Sequence, residues 1–336
     1  MAGGQERVLR RRIKSVQSTK KITKAMELIA ASRIVKAQQR VAAARPYSEQ
    51  ITEVIRNLAA AGAGSDSPLL RQPEAVESVC HVVVAADRGL AGGYNSSVIR
   101  TAERAMVADR DAGRTTSLVT VGKKALTYFR FRGYDIAESF TGFSETPTYE
   151  DARNVAAYIA ERFNSGEFQQ VKLTYTQFLS MGTQRVRAGT LMPLDRSTIE
   201  SGGSEGGADG RGSDDSGPQA DYEFEPGPDD ILDRLLPRYA EARLFAAMLD
   251  AAASEQAARQ RAMKSATENA DEIITKLSRV MNRARQDAIT TEIMEIVGGA
   301  EALRQAGAGG DDLLLDEVLS SDYFRAALPP MNPGDN

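Results

Sequence analysis

The chain has 336 residues, 42% of them hydrophobic, enough for one or two buried cores. Its 42 Lys and Arg stand against 46 Asp and Glu, a net charge of −4, so bulk charge does not point to nucleic acid. One cysteine, Cys80, excludes an intrachain disulfide, and no apolar run approaches the ~20 residues that span a bilayer. Met1 to Ser15 is Arg-rich without an apolar centre, which excludes a secretory signal and leaves a transit peptide as the minor reading.

Charge is unevenly distributed. Arg7 to Arg45 is almost wholly basic, whereas Glu200 to Asp233 is almost wholly acidic. Gln5 to Ala59 has the spacing of a long helix. Ile22, Met26 and Ile29 are expected on its buried stripe, flanked by Ala25, Leu28 and Val35. Pro46 should kink or break this helix after Arg45. The pattern resumes at Tyr47, Ile51, Val54, Ile55 and Leu58, and Gly62 to Pro68 ends it.

The middle of the chain alternates strand and helix. His81 to Ala86 reads as a buried strand, Asp87 to Asn95 as a Gly-rich turn and Ser96 to Ala112 as a helix stopped by Gly113. Ser117 to Val121 is the next strand, Lys123 to Arg132 a helix, and Tyr149 to Phe163 another. Val171 to Thr176 and Arg185 to Leu191 close the unit as an antiparallel hairpin around Met181-Gly182. This order implies a small, mostly parallel sheet covered by helices.

Ser201 to Asp221 is low-complexity Gly, Ser, Asp and Glu, expected to be a disordered loop. Leu236 to Leu303 is the longest helical pattern. Leu244, Phe245, Met248 and Leu249, then Ile273, Ile274, Leu277, Val280, Met281, Ala284 and Ala288, are expected on one stripe. The Ala-rich segment Ala251 to Ala258 between them admits a close neighbour. A helix of roughly 60 residues would run ~90 Å, too long to be buried in its own domain. Beyond Leu303, Gly307 to Gly310 interrupts the pattern, and Asp312 to Ala327 could form a short acidic helix.

Neither terminal helix has a stripe wide enough to be a core alone. Pairing them as an antiparallel coiled coil, with the middle of the chain as a globular insertion, is the economical solution. The expected divisions are a coiled-coil helix over 1–60, an α/β domain over 75–197, an acidic insertion over 198–226, a second coiled-coil helix over 227–304 and an acidic tail over 305–336.

Candidate chemistry is sparse. Gly89-x-x-Gly92-Gly93 follows a strand and opens a helix, as phosphate-cradling loops do. It matches neither the dinucleotide fingerprint nor a P-loop, so a tight turn is the better reading. An α/β nucleotide-binding enzyme built on Gly89–Gly93 remains the alternative. His81 reads as a core residue, and no second His or Cys exists to complete a zinc site. Asp214-Asp215 and Asp229-Asp230 read as solvated charge in or beside the loop. No catalytic, cofactor or metal residue is expected. The basic helix is either a contact surface or the solvated outer face of a coiled coil, and no aromatic precedes Tyr47 to stack on bases. Ile289, Ile293, Ile296 and Val297 lead into Gly298-Gly299, an apolar, weakly helical tip that would be a liability if left bare.

Three blocks together carry a resemblance. Ile13 to Ser32, Asp87 to Asn95, and the run Ala253 to Arg259, Ala262 to Ala270, Ala284 to Gln286 and Ile289 to Glu292 closely resemble the γ subunit of rotary F-type ATP synthases. The resemblance implies a long antiparallel coiled coil with an inserted Rossmann-like α/β domain. It implies a non-catalytic rotor shaft that couples proton flow to ATP synthesis and regulates ATPase activity. Its partners would be the α/β hexamer of the catalytic head, the ε subunit and the membrane rotor ring. No nucleic acid and no direct membrane insertion are implied, and the chain would sit peripherally on the cytoplasmic face of a bacterial membrane. Carried over residue by residue, contacts with the head fall on Lys20, Lys21, Lys24 and Met26 and on Arg285, Gln286, Thr290 and Glu292. The bearing tip falls on Ile293, Ile296 and Val297. The 201–221 loop and the tail after Leu303 exceed the family pattern.

Overall fold

The computed structural model describes residues 2–60, 69–70, 75–194 and 227–306. The expected disordered insertion and the acidic helix over 312–327 lie outside the described residues. The chain forms two compact units, Lys21–Glu268 and Met1–Lys20 with Asn269–Asn336.

The elements in chain order are α1 (Ala2–Ala60), β1 (Ser78–Val84), α2 (Tyr94–Asp111), β2 (Thr115–Val121), α3 (Lys123–Phe131), β3 (Glu138–Phe140), α4 (Tyr149–Asn164), β4 (Gln170–Phe178), β5 (Gln184–Met192) and α5 (Pro228–Ala306). The strand and helix expectations hold to within a few residues. The three-residue strand β3 was too short to leave a periodic signal.

Within the unit Lys21–Glu268 the strands form one sheet in the order β3-β2-β1-β4-β5. β1 pairs with β2 and with β4 in parallel, β2 with β3 in parallel, and β4 with β5 antiparallel. β1 is central and is buried from Val79 to Val84, as a parallel strand covered on both faces must be. One face carries α2 and α3 through Val98, Ile99, Met106, Ala125 and Phe129 against Val83 and Leu118. The other face packs Cys80, Val82, Val119 and Val171 on α4 (Val155, Ile159), on α1 (Ile55, Leu58) and on α5 (Leu236, Leu244, Met248).

α1 and α5 run antiparallel in this unit. Ala44, Tyr47 and Ser48 share a groove with Arg238, Ala242 and Phe245, while Thr23 meets Thr267. Among the buried and half-buried positions of α1, Thr23, Glu27, Ala30, Ile34, Ala37, Val41, Ala44, Ser48, Ile51, Ile55 and Leu58 form one series. Their spacing alternates four and three, the period of a coiled-coil seam. The expected stripe was therefore offset. Ile22 and Ile29 are 61% and 53% exposed, and Leu28 and Val35 are exposed too. From Thr23 to Ala37 the seam instead alternates small or polar residues with one large apolar side chain, Ile34. The expected break at Pro46 does not occur either: α1 continues through it. An interior proline costs ~3 kcal/mol, which the burial of Ile51, Ile55 and Leu58 just beyond it offsets.

α5 begins earlier than the pattern suggested, with Pro228 at its first position and Asp229 and Asp230 in its first turn. Proline is tolerated there and acidic residues favour the helix N-terminus, so these carboxylates serve the helix start. Ala251 to Ala257 is buried all round.

In the unit Met1–Lys20 with Asn269–Asn336, Ile13 is buried, and Lys20 Nζ lies 2.5 Å from Asp271 Oδ1. The apolar half-buried residues of α5 here are Ile274, Leu277, Met281, Ala284 and Ala288, again at spacings of three and four. Ile273 and Val280, expected on the same stripe, lie off it and are exposed.

Candidate functional site

The Gly-rich turn is built as a junction. Asp87, the first residue after the buried Ala85-Ala86, accepts from the backbone N–H of Lys123 at 3.0 Å, of Gly142 at 2.9 Å and of Ser144 at 3.1 Å. Asn95 accepts from the Ala86 N–H at 2.9 Å. Leu90 and Gly92 both adopt positive φ, 63° and 56°. A Cβ on Gly92 would lie 3.5 Å from the Ala262 Cβ, so the loop packs directly on α5. The sequence reading of a tight turn holds, and the packing partner gives the reason for it.

An ionic cluster fastens α5 to this loop. Glu255 and Arg259 are 1% and 5% exposed, with Arg259 Nη2 donating to Glu255 Oε1 at 2.6 Å. Arg259 also donates to the Gly89 carbonyl at 3.4 Å, and its Nη1 lies 3.4 Å from Glu145 Oε1. Arg33 of α1 bonds the same Glu145 carboxylate. Burial raises the Glu255 pKa, and the Arg259 guanidinium holds it back. Sequence reasoning took this stretch only as alanine packing. The signal that could have revealed it is an acid and a base one helical turn apart in an otherwise apolar run.

A second buried charge group joins α2 to the sheet. Asp109 Oδ2 lies 2.7 Å from Lys172 Nζ and 2.9 Å from His81 Nε2, and Asp109 Oδ1 lies 2.8 Å from Arg114 Nη1. The His81–Asp109 contact is close but off hydrogen-bonding geometry. Burial lowers the His81 pKa to about 4, opposed by the Asp109 charge, so the ring is neutral at pH 7. Burial raises the Cys80 thiol to about 12, which leaves it unreactive. His81 is thus the core residue the sequence suggested, and among the described residues no group of His, Cys, Asp and Glu could hold a metal.

The residues expected to touch partners lie on the two helices. Lys21 and Lys24 are exposed, and Lys20 and Met26 are half-buried. Arg285, Gln286, Thr290 and Glu292 are all exposed. Ile293, Ile296 and Val297 are 50%, 64% and 58% exposed, with Ile289, Met294 and Leu303 exposed around them. The fold brings these α5 residues onto one helix segment and joins no titratable cluster to them.

The class of protein is therefore a Rossmann-like α/β body clasped by long terminal helices that carry bare apolar side chains. A family model described as ATP synthase matches residues 5–303. Relatives described as ATP synthase gamma chain include one from Parafrankia sp. (strain EAN1pec), 50% identical over 89% of this chain and 98% of its own length. Another, from Streptomyces coelicolor, is 45% identical over 92% of this chain and all of its own length. Among solved structures, a chain of the Euglena gracilis mitochondrial ATP synthase (OSCP/F1/c-ring, rotational state 3) shares the fold. It has a TM-score of 0.61 and 16% identity, over 93% of this chain and 98% of that one. A chain of the Tetrahymena thermophila mitochondrial ATP synthase central stalk/c-ring matches with a TM-score of 0.54 and 22% identity, over 73% and 99%. The chain belongs to the ATP synthase gamma chain family.

Proposed function

We propose that this chain is the central rotor shaft of a proton-driven ATP synthase. It transmits rotation between the membrane ring and the catalytic sites of the head, and regulates ATPase activity and proton flow. It performs no catalysis itself. The observation that carries this reading is 50% identity to an ATP synthase gamma chain along nearly its whole length. The bare apolar faces support it. Exposed stripes such as Ile22, Leu28, Ile29 and Val35, and Ile289 to Leu303, are unfavourable in water and suit enclosure by other subunits.

The physics of coupling favours such a part. Identical catalytic subunits hold different nucleotide affinities only if something contacts each one differently. An off-centre pair of helices supplies unequal contacts, and turning it moves each subunit through the states in order. We assign the head contacts to Lys20, Lys21, Lys24 and Met26 and to Arg285, Gln286, Thr290 and Glu292. Ile293, Ile296 and Val297 form the bearing tip. That tip carries little charge, which suits free rotation, because breaking a buried ion pair at each step would cost ~3–5 kcal/mol. The ε subunit and the rotor ring are the partners of the α/β body, on the cytoplasmic face of a bacterial membrane.

The first test is co-purification of the chain with an ATP-hydrolysing hexamer. The second is Arg285→Glu in the reconstituted enzyme, expected to lower ATP made per proton transported while the melting temperature stays unchanged. Coupling equal to wild type would remove Arg285 from the contact belt. Deleting Arg304 to Asn336 is expected to leave head assembly intact. The rival, a nucleotide-binding enzyme on Gly89–Gly93, requires turnover by the isolated chain. The packing of Gly92 against Ala262 argues against it, since α5 covers the loop.

A further inference from the structure

Both long helices and the Gly-rich loop meet at one carboxylate. Glu145 lies in the loop between β3 and α4, and its side chain is 19% exposed. Its Oε1 lies 3.4 Å from Arg259 Nη1 of α5 and 3.8 Å from Arg88 Nη1 of the Gly-rich loop. Its Oε2 accepts from Arg33 of α1. Guanidinium groups from three separate elements therefore converge on a single side chain. One exposed ion pair would add little, but this is a network with a buried member, Arg259.

The backbone that carries Glu145 is itself tied to the sheet. Asp87, just beyond the end of β1, accepts from the N–H groups of Gly142 and Ser144, and its own N–H donates to Ser144 Oγ at 2.8 Å. A path of directed bonds thus runs from the central strand through Asp87 and Ser144 to Glu145, and from there to α1 and α5. The apolar attachment of α1 lies elsewhere. Ile51, Ile55 and Leu58 are its residues in the core beneath the sheet. Arg33 is ~27 Å further along the helix from Ile51, at 1.5 Å rise per residue. Apolar contacts have no preferred direction, so a helix held by them alone can turn in its bed. Charge-assisted bonds to a planar guanidinium have fixed geometry and oppose that turning.

We propose that Glu145 is the positioning residue that locks α1 and α5 to the α/β body against twist. The proposal rests on the rotor-shaft reading, in which torque passes between the body and the helices. Glu145 touches no reacting group. It sets the stiffness of the joint: the lower, apolar attachment bears the load, and the upper, ionic one stops α1 from rotating about it.

The test uses the assembled enzyme with the head fixed to a surface and a bead on the α/β body. Phe131→Cys at the end of α3 supplies the attachment point, since Phe131 is 88% exposed and the native Cys80 is buried. The angular spread of the bead is read while the head is held in one catalytic dwell. Glu145→Gln, which keeps the shape and removes the charge, should widen the variance about 1.5-fold or more, and Arg33→Met should do the same. Glu145→Asp, which keeps the charge, should recover part of the lost stiffness. Arg100→Gln removes a charge from the outer face of α2 and should change nothing. Thermal melts of the isolated chains run alongside, because a purely structural role lowers the melting temperature without widening the spread. That outcome, or equal spread in wild type, Glu145→Gln and Arg33→Met, overturns the lock and leaves the shaft reading standing. A wild-type bead that does not turn when ATP is supplied removes the shaft reading, and the lock with it. Arg33→Met decides the matter alone should Glu145→Gln fail to assemble.

Discussion

The hydroxyl oxygens of Thr23 and Thr267 lie 2.8 Å apart, both buried, although 244 residues separate them in the chain. Thr267 also donates to the Met263 carbonyl of its own helix at 2.8 Å, which leaves its oxygen to accept from Thr23, so one side-chain contact joins α1 to α5 here. A hydroxyl pair at a seam position fixes register where an alanine would allow sliding.

This contact is measurable by a double-mutant cycle. Thr23→Val and Thr267→Val should each lower stability by ~1 kcal/mol, and the double variant should lose less than the sum of the two. A coupling near zero in denaturant melts would mean that the two hydroxyls do not interact.

The Glu255–Arg259 pair makes a stronger demand. Both side chains are buried, and the second oxygen of Glu255 has no hydrogen-bond partner. Arg259→Met strands the Glu255 charge and should cost ~3–5 kcal/mol. Glu255→Gln combined with Arg259→Met removes both charges and should recover most of that loss. Equal melting temperatures for wild type and Arg259→Met would show that the pair contributes nothing.

How much of this could be read from residues alone divides along a physical line. The parallel sheet and its helices were legible because buried strands such as Val79 to Val84 must be continuously apolar. The position of the α1 seam was not legible. Ile22, Leu28, Ile29 and Val35 are large apolar side chains of α1, yet they face outward, and the seam runs through Thr23, Glu27, Ala30 and Ile34. A helix with two apolar stripes cannot reveal by hydropathy which one its own chain covers. Continuation through Pro46 was hidden for a related reason, since the packing of Ile51 to Leu58 is tertiary. Of the cluster around Arg259 only the Glu255–Arg259 spacing was legible, because Glu145 and Arg33 are distant in sequence.

Two groups set opposite pH dependences. His81 has its folded pKa lowered from 6.5 to about 4, so the stability it permits is full above 6.5 and is lost as pH falls toward 4. Asp250 has its folded pKa raised from 3.8 to about 7 by burial, held back by Arg45 and the Phe178 backbone. Its contribution is full below 3.8 and is lost as pH rises through 7. Asp250→Asn should therefore stabilise the chain relative to wild type at pH 8 and change little at pH 4. His81→Gln should flatten the fall in stability between pH 6.5 and 4. Denaturant titrations of the three proteins between pH 4 and 8 read both effects, and parallel curves would contradict both assignments.

The last expectation concerns Gly122, which links β2 to α3 with φ at +99°. Its N–H donates to the Phe140 carbonyl at 2.7 Å, holding the edge strand β3, while the next residue but one, Lys124, donates to Ala86 at 3.0 Å. A Cβ here would lie 2.1 Å from the Ala85 carbonyl oxygen, a backbone atom at the end of the central strand that cannot swing aside. Gly122→Ala thus meets positive-φ strain and a clash with the strand that leads into the Gly-rich turn. Gly142, with φ at +104°, has open space where a Cβ would go, so Gly142→Ala meets strain alone. The first variant should fail to accumulate as folded protein, and the second should fold with a loss of ~1–2 kcal/mol. Comparable stability of the two in thermal melts would mean that β1 and α3 are free to separate, and that the junction built on Asp87 is looser than its hydrogen bonds indicate.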